Sequence, residues 1–202
     1  MYKYIKSIYH IFKNYRLYSF PILLSEAIFY FKYNGAFNKF KYLNSNFLSD
    51  SIPCPYFFLI KIKRFMSKKK INFICDLGSG YGKVLYFFGK LHNYKIDGIE
   101  FEKDIYTESK LLENNNIKIF NDNILNYSLK NAHYDLFIIN DPLKKSEDLL
   151  SLINKIKNLY KKTHIVFINM DEKKVSYIEN NLIIIESFII SKNKNIFFCL
   201  VD

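Results

Sequence analysis

Asp76-Leu77-Gly78-Ser79-Gly80-Tyr81-Gly82-Lys83 holds three of the six glycines of a 202-residue chain within five positions. It follows Asn72-Phe73-Ile74-Cys75-Asp76-Leu77, an apolar run with the length and β-branched content of a buried strand, and it opens a helical segment from Lys83 to Leu91. Glycine accepts positive φ and lets the backbone approach a ligand closely, and the N–H groups at a helix start favour an anionic ligand group. A strand, a glycine turn and a helix therefore mark the carboxyl edge of an open parallel sheet as the place to look for a site. The spacing is G-x-G-x-G after an acid, which differs from the G-x-G-x-x-G of dinucleotide-binding turns.

Outward from this turn the alternation continues. Strands are expected at Lys95–Glu100, Ile117–Phe120, Tyr134–Ile139 and His164–Ile168, with helices at Lys103–Asn114, Ser146–Tyr160 and Glu172–Asn181 between and after them. Strands that alternate with helices imply right-handed crossovers and a doubly wound, mainly parallel α/β sheet. The end of the chain breaks the pattern. Leu182–Ile190 and Ile196–Val201 are both strand-like, with only Ser191-Lys192-Asn193-Lys194-Asn195 between them, so they form an antiparallel hairpin. Seven strands closed by that hairpin are the expected architecture.

Acids and amides recur at the carboxyl ends of these strands. Glu100 ends the second, 24 residues after Asp76, where a carboxylate can accept from two vicinal hydroxyls. Asn121-Asp122-Asn123-Ile124 follows the third and, read blandly, is an Asx turn. Asn140-Asp141-Pro142-Leu143 follows the fourth and, read blandly, is a proline-containing turn.

Asp-Leu-Gly-Ser-Gly-x-Gly resembles the first motif of the class I S-adenosylmethionine-dependent methyltransferases, a Rossmann-like fold. The resemblance implies that Asp76 and the backbone at Gly78, Ser79, Gly80 and Gly82 surround the amino acid part of S-adenosylmethionine. It implies that Glu100 holds the ribose, that Asp122 caps the adenine amino group with Asn123 and Ile124 beside the ring, and that Asn140 borders the cofactor. It places Asp141 and Pro142 at the methyl acceptor. Amino-group methyltransferases carry an Asn/Asp-Pro-Pro-aromatic turn there, which Asp141-Pro142-Leu143 matches in part. Over residues 50–202 the order of motifs looks like the small bacterial relatives of the Dot-one-like histone-lysine methyltransferases. It is also similar to the lysine methyltransferases that modify the c subunit of ATP synthase, with Pro53-Cys54-Pro55-Tyr56 in the position of their pocket-lining turn. A protein lysine is the acceptor this implies. A catalytically silent binding module and an O-methyltransferase of a small molecule or glycan are the alternatives.

Charge divides the chain in two. Residues 1–70 hold 13 basic residues and two acids, Glu26 and Asp50, while residues 71–202 hold 17 of each sign, so the net +11 belongs to the first third. A uniformly basic coat for nucleic acid is thereby excluded. The expected organisation is a basic, aromatic-rich helical extension over 1–70 and a cofactor-binding domain over 71–202. Helices are expected across Tyr4–Tyr15, Pro21–Tyr33 and Tyr56–Lys70. Three readings fit the extension: a helical cap over the site, peripheral contact of residues 1–33 with an anionic membrane, or phosphate contact with nucleic acid. The scarcity of arginine argues against specific base reading. No apolar stretch reaches the ~20 residues needed to span a bilayer, and no secretory signal pattern opens the chain, so a cytoplasmic protein is expected. The three cysteines are odd in number and far apart, and the four histidines share no metal spacing, so neither a disulfide framework nor a metal site is expected.

Overall fold

The computed structural model describes residues 12–32, 41, 43 and 48–202. Its strands are β1 (Phe73–Leu77), β2 (Lys95–Glu100), β3 (Ile117–Asn121), β4 (Leu136–Ile139), β5 (His164–Ile168), β6 (Ile183–Ser191) and β7 (Lys194–Leu200). They form one sheet of order β3-β2-β1-β4-β5-β7-β6. The first five run parallel, and β7 is antiparallel to both β5 and β6. After β3 the chain returns to the other side of β1, so strand order reverses between β1 and β4. That reversal opens a crevice above their carboxyl ends.

The helices are α1 (Ser19–Lys32), α2 (Tyr56–Lys69), α3 (Lys83–Leu85, continuing as one π turn over Tyr86–Lys90), α4 (Lys103–Ser109), α5 (Ser146–Leu159) and α6 (Glu172–Asn181). Both faces of the sheet are covered. On one, Phe58, Leu59 and Ile62 of α2 and Phe87 after α3 pack against Ile74, Ile96 and Phe198. On the other, Leu149, Leu152, Ile153 and Ile156 recur along α5 and meet Leu77, Phe137 and Phe167. Strands buried on both faces must be apolar throughout, which is why β1 and β4 read as continuous runs rather than alternating ones.

The expected helix over Tyr4–Tyr15 falls mostly outside the described residues, of which 12–15 are helical. The expected five-residue connection before β7 is shorter: Ser191 pairs with Lys194, leaving Lys192 and Asn193 in the turn. The polar residues join the ladder because Asn195 is buried, its amide donating to the carbonyls of Met170 and Lys192 and accepting from the Met170 N–H. All three cysteines are buried free thiols.

Candidate active site

The glycine turn is fastened to β2: the N–H groups of Gly78 and Ser79 both donate to the Ile99 carbonyl at 3.0 Å. Gly78 has φ +85°, and a Cβ there would stand 2.5 Å from Cβ of Pro142. Only glycine lets the turn after β1 pack directly on the turn after β4. Gly80 also has positive φ, and its N–H donates to Oε2 of Glu100 at 2.8 Å.

Beneath the turn lie two buried carboxyl groups, Asp76 and Glu100. Asp76 is 1% exposed, and its Oδ2 has no hydrogen-bond partner among the described residues. Burial, reinforced by the neighbouring Glu100 carboxylate, pushes its pKa up to about 8. The buried Ser79 hydroxyl is unpartnered in the same way. Glu100 is raised as well, chiefly by burial, although the N–H groups of Glu102 and Gly80 stabilise its charged form. A buried carboxyl with a bare oxygen and an unpartnered hydroxyl lining the same crevice can accept from a cationic hydrogen-bond donor.

A further wall comes from the first third of the chain. Residues 48–54 run along the crevice, with Ser49 N donating to the Pro142 carbonyl at 3.0 Å and Asn140 Nδ2 to the Ile52 carbonyl at 3.1 Å. Glu26 on α1 reaches inward from behind. Its carboxylate accepts from Lys83 Nζ at 2.8 and 3.0 Å and from the Tyr56 N–H at 2.8 Å. The Lys83 side chain is 5% exposed, lies over the Tyr56 ring at 4.1 Å and lines the crevice. One carboxylate thus ties α1, the start of α2 and the helix after the glycine turn together.

At the other rim, Asn140 is locked on both sides: Nδ2 is bound to Ile52, and Oδ1 accepts from Asn169 Nδ2 at 2.8 Å. Asp141 takes positive φ, and its carboxylate accepts from Lys174 Nζ at 2.5 Å. Burial raises its pKa and that ion pair opposes the shift.

Of the residues singled out in the sequence, Asp76, Gly78, Ser79, Gly80, Glu100, Asn123, Asn140 and Pro142 line one crevice, together with Ile124. Three stand back from it. Gly82 starts α3. Asp122 is exposed, its Oδ1 accepting from Asn123 N at 2.7 Å. Asp141 faces Lys174. Ser51, Tyr81, Lys83 and Phe101 also line the crevice, and Glu26 stands behind it, although no local sequence pattern assigned any of them to a site. Glu26 carried one signal, being one of only two acids in the first 70 residues.

No protein-family model matches the sequence, and neither does any curated protein sequence. Solved structures do match the fold. A magnesium protoporphyrin IX methyltransferase from Synechocystis PCC 6803 with bound S-adenosylmethionine superposes with a TM-score of 0.57 at 12% identity, over 72% of this chain and 78% of that one. An RNA methyltransferase from Salinibacter ruber in complex with S-adenosylhomocysteine gives 0.57 at 11% identity, over 74% and 94%. The N-methyltransferase NodS from Bradyrhizobium japonicum, with S-adenosylhomocysteine, gives 0.56 at 14% identity, over 70% and 83%. Together with the strand order and the terminal hairpin, these likenesses establish that the chain has the class I S-adenosylmethionine-dependent methyltransferase fold.

Proposed function

We propose that the protein is an S-adenosylmethionine-dependent methyltransferase whose acceptor is an amine, with a protein lysine as the substrate class. The observation that carries the cofactor reading is Asp76, a buried carboxylate with a bare oxygen at the end of β1. It fits the cationic amino group of the cofactor, and the unpartnered Ser79 hydroxyl beside it fits a second polar contact. Gly78 and Gly80 would hold the same end by their backbone, Glu100 the ribose hydroxyls, and Asn123 and Ile124 the base, with Gly82 and Asp122 shaping the turns behind them. When bound, the cofactor supplies an electrophilic methyl carbon on a sulfonium.

What remains for the chain is to orient the acceptor and exclude water. Asn140 Oδ1 keeps a second lone pair while its amide is fixed by Ile52 and Asn169, so it is a pre-set acceptor for an amine N–H. The amine's own lone pair then faces the methyl group. Pro142, packed on Gly78, sets the distance between the two turns. Asp141 is a positioning residue, holding the turn through Lys174 rather than meeting substrate. A lysine acceptor is an ammonium at neutral pH, so it must first release a proton to solvent. The free amine then forms the N–C bond as the sulfonium C–S bond breaks, leaving S-adenosylhomocysteine and a methylated ammonium.

Incubation of the protein and labelled S-adenosylmethionine with cell lysate tests this. Label released as methyl-lysine on hydrolysis of the protein fraction is expected. Label in RNA, lipid or small molecules would overturn the lysine acceptor and keep the methyltransferase. Cofactor binding with no transfer to any fraction would identify a silent binding module.

A further inference from the structure

The outer face of α1 is apolar where a surface helix is ordinarily polar. Leu17, just before the helix, and Phe20, Leu24, Ile28 and Phe31 follow one another at steps of three and four residues, and Leu17, Phe20 and Phe31 are 93%, 71% and 81% exposed. The inner face carries Ser19, Ile22, Ser25, Glu26 and Phe29. The helix cannot roll to hide the outer row. Ile22 is buried, Phe29 stacks on Tyr56 at 4.2 Å, and Glu26 holds Lys83 and the Tyr56 N–H. The register that seats Glu26 on Lys83 and Tyr56 is the register that turns the apolar row outward.

We propose that this face of α1 docks the protein on an anionic lipid bilayer surface, lying flat in the interface. The charge identifies the occupant. Residues 1–70 carry 13 cations and two acids, one of which, Glu26, is consumed by Lys83. Exposed Lys13 and Lys32 stand near the two ends of the row. Bulky apolar side chains beside lysines partition into an anionic headgroup layer. A second copy of the chain would bring like charge against like charge. Three of the five side chains in the row, Leu17, Leu24 and Ile28, are aliphatic and offer no π face to a nucleic acid base. At 14 residues α1 is about 21 Å long, and no helix among the described residues is long and apolar enough to cross a membrane. This docking stands apart from the methyl-transfer reading.

Flotation of the full-length protein with vesicles of phosphatidylcholine and phosphatidylglycerol, against pure phosphatidylcholine, tests it. The wild type should float with the anionic vesicles and be released by high salt. The double variant Phe20→Glu, Phe31→Glu should bind at least about tenfold more weakly while melting like the wild type, because both side chains point to solvent. Absence of wild-type binding, or equal binding by the variant, overturns the proposal. So does a wild-type dimer in sedimentation that the double variant converts to monomer, which would assign the face to a second copy. RNA binding lost in the variant without any vesicle binding would overturn it in favour of nucleic acid.

Discussion

The crevice has two sides of different origin. One is built on β1, β2 and β4 from glycines, carboxylates and amides whose positions follow from strand ends. The other is built by the segment 48–54, braced from behind by α1 and the start of α2, and is held to the sheet by a few specific contacts: Glu26 with Lys83 and Tyr56, Ser49 with Pro142, and Asn140 with Ile52. The first side has backbone that any chain of this topology would supply. The second is fastened by contacts between residues far apart in the chain, so it is where this protein becomes particular. The neutral 17-against-17 region supplies the strand-end lining of the crevice, and the basic first third supplies the segment 48–54 across from it.

The largest effect belongs to the sheet side. Asp76→Ala should weaken S-adenosylmethionine binding about a hundredfold or more, since it removes a buried counter-charge. Calorimetric binding within fivefold of wild type would show that the bare oxygen is not the receptor. The pH dependence follows from the same group. With a folded pKa of about 8 against an ordinary ~3.9, Asp76 contributes stability to the free protein that is full below pH ~4 and is lost as pH rises through about 8. Cofactor affinity should run the other way, rising towards pH 8 by up to about tenfold per unit, as a carboxylate is needed to receive a cation. Asp76→Asn should flatten both profiles.

The next effect asks whether the two sides are one machine. Glu26→Ala removes the carboxylate that pairs with the buried Lys83 ammonium and accepts from the Tyr56 N–H, and should destabilise the protein by about 3–5 kcal/mol in urea unfolding. Adding Lys83→Met should restore at least half of that loss. A cost below about 1 kcal/mol for Glu26→Ala would mean that α1 merely rests on the domain. A smaller effect concerns the contact between turns: Gly78→Ala forces φ +85° on a residue with a Cβ and pushes it into Pro142, so about 1–3 kcal/mol of stability should go. Cofactor affinity should fall with it, roughly tenfold. Unchanged melting and binding would show that the two turns are not held against each other.

How much could be read from the chain differs in the same way between the sides. Asp76-Leu77-Gly78 and the strands around it were legible because a fully buried strand is an apolar run and a ligand turn is a cluster of glycines, both local patterns. The terminal hairpin was legible from its short connection, although Asn195 moved the turn, as its amide serves a tertiary partner that no local pattern reveals. On the other side, the helix at α1 was expected, but which face it buries was not. Ile22 and Phe29 form one apolar row and Phe20, Leu24, Ile28 and Phe31 another, and periodicity alone does not choose between them. Glu26 decides, through a lysine 57 positions away. Residues 48–54 have no periodicity at all, and their place against Pro142 is fixed by long-range backbone bonds.

The proposed methyl transfer requires a cofactor seated on the glycine turn. Calorimetric titration of S-adenosylmethionine into the full-length protein, beside Gly80→Arg, measures that directly. The expected result is one site per chain in the micromolar range for the wild type and none for the variant, whose side chain would fill the turn. No binding by the wild type at ~1 mM ligand, or the same affinity for Gly80→Arg, would contradict it.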